Sequence, residues 1–256
     1  MITVVGLGVE RGDVTKRGEE AILAAVKSGA NIAVRTANTR SYQSVLDMGV
    51  KHVTLDGVYE KSRSFKTLND NLAKAVLSLG ENTVYLVDGA ATEDYSVKAL
   101  QRKTRGKLQI IDGVSKITAV AKAAKFQGCS YAASSAYELA ERAQAGELTL
   151  PLIVYDMDDR GLASDCKLLL GDLFGEETKV TYVIGGTAKK LPLYDIDRQK
   201  EYDYSSAVAI DRCDLLEKTR FTMDDLKQII VRLRKPNGCP WDRVQTCESI
   251  KMSAGE

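Results

Sequence analysis

One histidine, one tryptophan and four prolines are spread over 256 residues. A single histidine gives almost nothing from which to build a Ser-His site or a histidine-ligated metal centre. That residue, His52, sits in the alternating stretch VKHVTLDG, which predicts a strand position. The five cysteines, Cys129, Cys166, Cys213, Cys239 and Cys247, are odd in number, widely spaced and contain no C-x-x-C pair. A disulfide framework or zinc site is therefore not expected, and reduced thiols are. Lys and Arg number 36 against 35 Asp and Glu, a net charge of +1. This gives no electrostatic case for nucleic acid or a membrane surface. No apolar run approaches the ~20 residues of a membrane helix. The opening MITVVGLG runs straight into a strand pattern, without the charged n-region and apolar h-region of a signal peptide, so a cytoplasmic location is expected.

What is present is a core-forming chain: 44% of residues are apolar. Up to residue 112, strand and helix patterns alternate. ITVVGLG, NIAVRT, TVYLVDG and KLQIIDG read as buried strands. Helical spacing covers Glu20–Lys27, Tyr42–Met48, Thr67–Leu79 and Ser96–Arg105, and Leu68, Leu72, Val76 and Leu79 share one face. VTLDGVYEK reads as extended. A second set begins at residue 113, with helices Ser115–Phe126 and Ala163–Leu173, the strand LPLIVYD, and a hairpin-like pair, KVTYVIGG and KKLPLYDI. Asp211–Leu216 reads as a charged linker. A capped helix follows, with Thr222 as N-cap, Asp224 and Asp225 in its first turn, and Pro236-Asn237-Gly238 as its stop. The expected architecture is α/β: two lobes, each with a mixed, mostly parallel sheet, and a cleft between them. The boundaries are 1–112, 113–220 and a third segment, 221–256.

Gly6-Leu7-Gly8 ends the first strand, where an open α/β sheet binds ligands and glycine lets them approach the backbone. A dinucleotide fingerprint would continue with glycine at the next required position, but Arg11 stands there and Gly12-Asp13 comes one residue late. A tight turn without a ligand is the other reading.

VVGLGVERGDVTKRGEEAI resembles the opening of the tetrapyrrole (corrin/porphyrin) methylase family. VYLVDGAATED, IIDGVSKITAVAKAA, PLIVYDMD and YVIGGTAKKLPLYDID follow in that family's order, so the resemblance spans residues 1–210. It implies S-adenosylmethionine bound between two lobes. The residues it implies around the cofactor are Gly6, Gly8, Asp88, Gly89, Ala90, Ser115, Lys116, Tyr155, Asp156, Gly186, Thr187 and Ala188. Gly6, Asp88, Ser115 and Gly186 are expected to converge on one cavity. The acceptor implied is a small molecule of the tetrapyrrole type, and the assembly implied is a homodimer. No catalytic residue and no metal ligand is assigned. Three positions depart from the family pattern: Val9 and Asp112 replace prolines, and Asp88-Gly89-Ala90-Ala91 replaces a Gly-Asp-Pro loop.

LRKPNGCPWDRVQTCESI resembles the start of MazG-type nucleotide pyrophosphohydrolases, with Cys247 in place of the usual histidine. That family holds Mg2+ on glutamate clusters which this sequence does not contain, so magnesium is implied only for a module beyond this chain. Two readings stay open: a methyltransferase-family domain joined to a pyrophosphohydrolase, or an inactive ligand-binding or dimerisation module that regulates one.

Overall fold

The computed structural model describes residues 1–213, 218 and 221–253. The chain begins β1 (Ile2–Gly6), α1 (Lys16–Lys27), β2 (Asn31–Val34), α2 (Tyr42–Asp47), β3 (Val53–Thr54), α3 (Asp56–Glu60) and α4 (Phe65–Ser78). It continues β4 (Thr83–Val87), α5 (Tyr95–Lys103), β5 (Leu108–Ile111), α6 (Lys116–Ala123), β6 (Ala132–Ser135), α7 (Leu139–Gln144) and β7 (Leu152–Tyr155). After α8 (Arg160–Phe174) come β8 (Lys179–Ile184), β9 (Thr187–Pro192) and β10 (Ala207–Ile210), then α9 (Met223–Leu233), α10 (Pro240–Val244) and α11 (Cys247–Ser253).

Among the described residues the strands form two five-stranded sheets. The first, ordered β3-β2-β4-β1-β5, is parallel throughout. Strand alternation splits its apolar residues between two helix layers. Val4 and Tyr85 join Leu72, Val76 and Leu100 of α4 and α5 on one face. Val5 and Leu86 join Ile22 of α1 and Val45 of α2 on the other. Each such fully buried side chain contributes about 1.5–3 kcal/mol. Side-chain caps start the longer helices: Thr15 for α1, Ser64 for α4, Asp94 for α5 and Asp159 for α8.

The second sheet, ordered β6-β7-β10-β8-β9, is mixed. β6 and β7 pair in parallel and the other neighbours are antiparallel. The hairpin expected of YVIGGTAKKL is β8–β9, turned by Gly185 and Gly186 at φ 54° and 73°. α6 packs on one face of this sheet through Val120 and Ala121, against Ile153, Val183 and Ala209. The α8 residues Ala163 and Leu170 cover the other.

Some expectations change. The stretch read as extended, 53–61, is a two-residue strand followed by α3. Asp56, at the start of α3, accepts the Thr36 hydroxyl at 2.5 Å and the Ala37 N–H, and this draws the chain into a turn. His52 lies just before β3, its ring facing the Tyr42 hydroxyl at 3.0 Å and the Val50 carbonyl at 2.8 Å. β6 and the central strand β10 were not expected, since AASS and AVAI are short and carry small residues. The linker expected over Asp211–Leu216 lies partly outside the described residues. α9 opens with a capping box between Thr222 and Asp225, and Trp241 of α10 is 61% exposed. Among the described residues no helix is long and apolar enough to cross a membrane.

Candidate functional site: a divided cleft between the lobes

The carboxyl ends of β4, β1 and β5 lie side by side, so the loops that leave them meet. Gly6, Gly8, Gly89 and Gly113 form the contact. Gly8 and Gly89 exchange backbone hydrogen bonds, Gly89 N to Gly8 O at 2.8 Å and Gly8 N to Gly89 O at 3.2 Å, with both residues at positive φ. A Cβ on Gly6 would stand 2.5 Å from Gly113 N and 2.6 Å from Gly89 O, and one on Gly113 would stand 2.5 Å from Gly6 O. Here glycine is required by backbone packed on backbone.

Charged side chains stand on this base. Arg35, which follows β2, bridges Asp88 and Asp94 through Nη1, at 3.2 and 3.1 Å. Asp94 also caps α5 by accepting Ser96 N and Val97 N. Lys116, at the start of α6, places Nζ 3.1 Å from Asp88 Oδ2 and 2.8 Å from Asp156 Oδ1. Asp156, directly after β7, sits at φ 58°, a left-handed conformation, with its carboxylate on Lys116. Burial alone would raise the Asp88 carboxyl. Lys116, then Arg35, outweigh it and hold the group at about 2. The Lys116 ammonium is raised despite burial, first by Asp156 and then by Asp88. Ser115 caps α6 through Thr118 N and donates its hydroxyl to Glu93, whose carboxylate also accepts Lys116 N. Burial pushes the Glu93 carboxyl up, with the Ser115 hydroxyl opposing it.

Lys116 and Asp156 divide the cleft, because both line each of its two cavities. One cavity, of about 420 Å³, has Val114, Val120, Val183, Ala207 and Tyr155 in its wall, with Gly186, Ser205 and Tyr204 at its second-lobe side. A Cβ on Gly186 would meet nothing within 4 Å. The other, of about 620 Å³, is walled by carboxylates and aromatic rings, among them Tyr59, Phe65, Tyr95 and Tyr137. Both volumes are of the size that holds a small molecule. Further contacts tie the lobes across the cleft. Arg40 N donates to the Tyr204 hydroxyl at 2.6 Å, and the Phe65 and Tyr137 rings stack at 3.9 Å and 5°.

The match to solved proteins is one of architecture. No protein-family model matches the chain. The precorrin-6Y methylase of Archaeoglobus fulgidus superposes with a TM-score of 0.57 at 18% identity, covering 83% of this chain and 98% of that one. The uroporphyrin-III C-methyltransferase of Thermus thermophilus, complexed with S-adenosylhomocysteine, gives 0.56 at 12% identity, covering 82% and 97%. A diphthine synthase gives 0.52 at 15% identity, covering 88% and 93%. The fold is that of the tetrapyrrole methylases. In sequence, the uncharacterized protein YabN of Bacillus subtilis (strain 168) is 27% identical over 269 residues, a match that covers 98% of this chain and 53% of YabN. The chain therefore spans about half the length of this curated relative.

Within the tetrapyrrole methylase fold, the residues singled out from the sequence take three positions. Lys116, Tyr155, Asp156 and Gly186 line the apolar cavity, and Asp88 lines the acidic one with Lys116 and Asp156. Gly6, Gly8, Gly89, Ala90 and Ser115 lie in neither wall; the three glycines form the backbone contact at the base of the cleft, Ser115 caps α6, and Ala90 is buried. Thr187 and Ala188 are exposed on β9, outside both cavities. The single cavity expected for Gly6, Asp88, Ser115 and Gly186 is thus two, because the Lys116–Asp156 pair stands between Asp88 and Gly186. Sequence reasoning passed over Arg35, Glu93, Asp94, Phe65, Tyr137 and Tyr204. The acidic run at Asp156, Asp158 and Asp159 and the arginine directly after a buried strand were the available signals.

Proposed function

We propose that this chain is an S-adenosylmethionine-binding methyltransferase domain, with the apolar cavity as cofactor site and the acidic cavity beside it as acceptor site. The observation that carries this is the 420 Å³ cavity between the lobes of a tetrapyrrole methylase fold. Its chemistry fits the cofactor. Val114, Val120, Val183 and Ala207 would take the apolar surfaces of adenine and ribose. The Gly186 backbone, left open where a Cβ would stand, and the Ser205 hydroxyl would take polar edges. The bound cofactor supplies an electrophilic methyl on a sulfonium. The chain's own part is positioning: the Lys116 bridge between Asp88 and Asp156 holds the two walls in register, and closely held reactants lower the barrier.

We extend this reading in two ways. Residues 221–256 begin a MazG-type pyrophosphohydrolase module, on the strength of LRKPNGCPWDRVQTCESI, with Mg2+ required by that module. The methylase part pairs into a homodimer. The test of the central claim is calorimetric titration with S-adenosylmethionine, using Ala119→Trp, a half-buried α6 residue in the cavity wall, as the blocked variant. Saturable binding by the native chain and none by the variant, at unchanged Tm, is the expected result. No heat from the native chain would end the reading.

A further inference from the structure

The loop between β1 and α1 has the place and much of the composition of a phosphate cradle. It leaves the carboxyl end of an interior parallel strand, contains Gly8 and Gly12, and runs into a helix. A cradle works by leaving backbone N–H groups free for the anion. Here the chain takes them itself. Val9 N and Glu10 N both donate to Asp13 Oδ2, at 3.1 and 2.9 Å. Gly8 N donates to Gly89 O, Gly12 N to Ser44 Oγ of α2, and Asp13 N to Glu10 O. The loop closes tightly on itself, since a Cβ on Gly8 would stand 2.3 Å from Asp13 Cβ. The Asp13 carboxylate thus sits among the loop N–H groups where a bound phosphate would be. Val9, Glu10 and Asp13 line the apolar cavity on its first-lobe side. The rest of that wall does not replace the donors lost. Its cations are Lys116 and Lys122. Lys116 is held by Asp88 and Asp156, and Lys122 is exposed, where solvent and salt screen its charge.

We infer that Asp13 is a specificity-determining residue, an anion built into the wall, through which the apolar cavity takes an unphosphorylated adenosine derivative and turns nucleotides away. That the ligand is an adenosine derivative rests on the cofactor reading proposed above. The exclusion of phosphate rests on Asp13 and the N–H groups it occupies. S-adenosylmethionine carries a sulfonium on the ribose carbon that bears phosphate in a nucleotide, so a fixed negative charge beside the ligand separates the two. Gly12-Asp13, the pair that arrives one residue late for a dinucleotide fingerprint, is what supplies this anion.

Adenosine and AMP differ only by the 5′ phosphate. The experiment titrates the full chain with each by calorimetry, and separately with S-adenosylmethionine. EDTA is present, so that no divalent ion bridges phosphate to carboxylate. The native chain should bind AMP more weakly than adenosine by roughly 3- to 30-fold, the range for one unit charge beside a site partly open to solvent. Asp13→Asn removes the charge and keeps the loop, because both N–H groups donate to one oxygen and an amide oxygen accepts them equally. It should bring AMP within about twofold of adenosine. The readout is the ratio of the two affinities in one variant, so a smaller folded fraction weakens both alike and leaves the ratio unchanged. AMP bound by the native chain as tightly as adenosine overturns the inference. A ratio that Asp13→Asn does not move overturns it too, and S-adenosylmethionine binding would then leave the cofactor reading standing without it. A chain that takes adenosine, turns AMP away until Asp13 is changed, and does not bind S-adenosylmethionine overturns the cofactor reading and leaves the exclusion standing. Binding of none of the three removes both.

Discussion

Gly6 on the first-lobe side of the cleft and Gly186 on the second-lobe side occupy the same kind of place, the end of a strand or the turn beyond it. A methyl group added to them would meet opposite surroundings: backbone at 2.5 Å for Gly6 and open space for Gly186. The first-lobe wall is closed, with loops packed on one another and a charge network above them. The second-lobe wall is open, with a hairpin turn facing a cavity. The same residue type therefore serves cohesion on one side and access on the other, and each substitution below tests that contrast.

The largest effect is expected where the closed wall depends on one cation. Lys116→Met leaves Asp88 and Asp156 without their shared ammonium, and Asp88 is almost fully buried. Breaking a buried pair from one side costs about 3–5 kcal/mol. Urea unfolding measures it. A loss under about 1 kcal/mol, the range of exposed pairs, would show that this wall is solvated and remove half of the contrast.

Gly6→Ala comes next. Its Cβ would overlap Gly113 N and Gly89 O, which are backbone atoms that cannot rotate away. Overpacking of this kind costs roughly 1–3 kcal/mol, visible as a lower Tm. A variant as stable as the native chain would mean that the loops separate easily.

Acid tests the charge network directly. The Asp88 carboxyl lies at about 2 in the folded chain against an ordinary 3.8. A group depressed by folding contributes stability above its unfolded pKa, and that stability fades as pH falls through the folded one. A contribution on the order of 2 kcal/mol should therefore be intact above pH ~4 and fade toward pH ~2. Asp88→Asn should flatten that limb of the stability curve. An unchanged limb would assign it to other carboxylates.

The same contrast explains what could be read from the sequence. The buried strands NIAVRT and TVYLVDG and the helix at Leu68–Leu79 were legible because parallel strands covered on both faces are nearly continuous apolar runs. β6 and β10 were not, because AASS and AVAI owe their place to neighbouring strands in the second sheet rather than to any pattern of their own. At the site, the loops were legible as loops, and Lys116, Tyr155, Asp156 and Gly186 do line a cavity. The division of the cleft was not. It depends on the side chains of Asp88, Lys116 and Asp156 meeting across 68 residues of sequence, and on Asp156 adopting a positive φ that no local pattern announces. The partners Arg35 and Asp94 were missed for the same reason, since each gains its role from a contact far along the chain.

The smallest stability change belongs to the open wall, where binding and folding should come apart. Gly186 sits at φ 73°, so alanine there meets the left-handed penalty of about 1–2 kcal/mol while its methyl group finds free space. Gly29, at φ 68° after α1, also has nothing within 4 Å of an added Cβ and lines neither cavity, which makes Gly29→Ala a matched control for backbone strain. Gly186→Ala and Gly29→Ala should lower Tm by similar amounts. Under the proposed cofactor site, Gly186→Ala alone should weaken S-adenosylmethionine in calorimetry, because its methyl group stands where the cofactor edge would approach the turn. If both variants bind the cofactor like the native chain while Ala119→Trp does not, the β8–β9 turn is not a cofactor contact. The cofactor would then lie against α6, and the openness of Gly186 would reflect the hairpin alone.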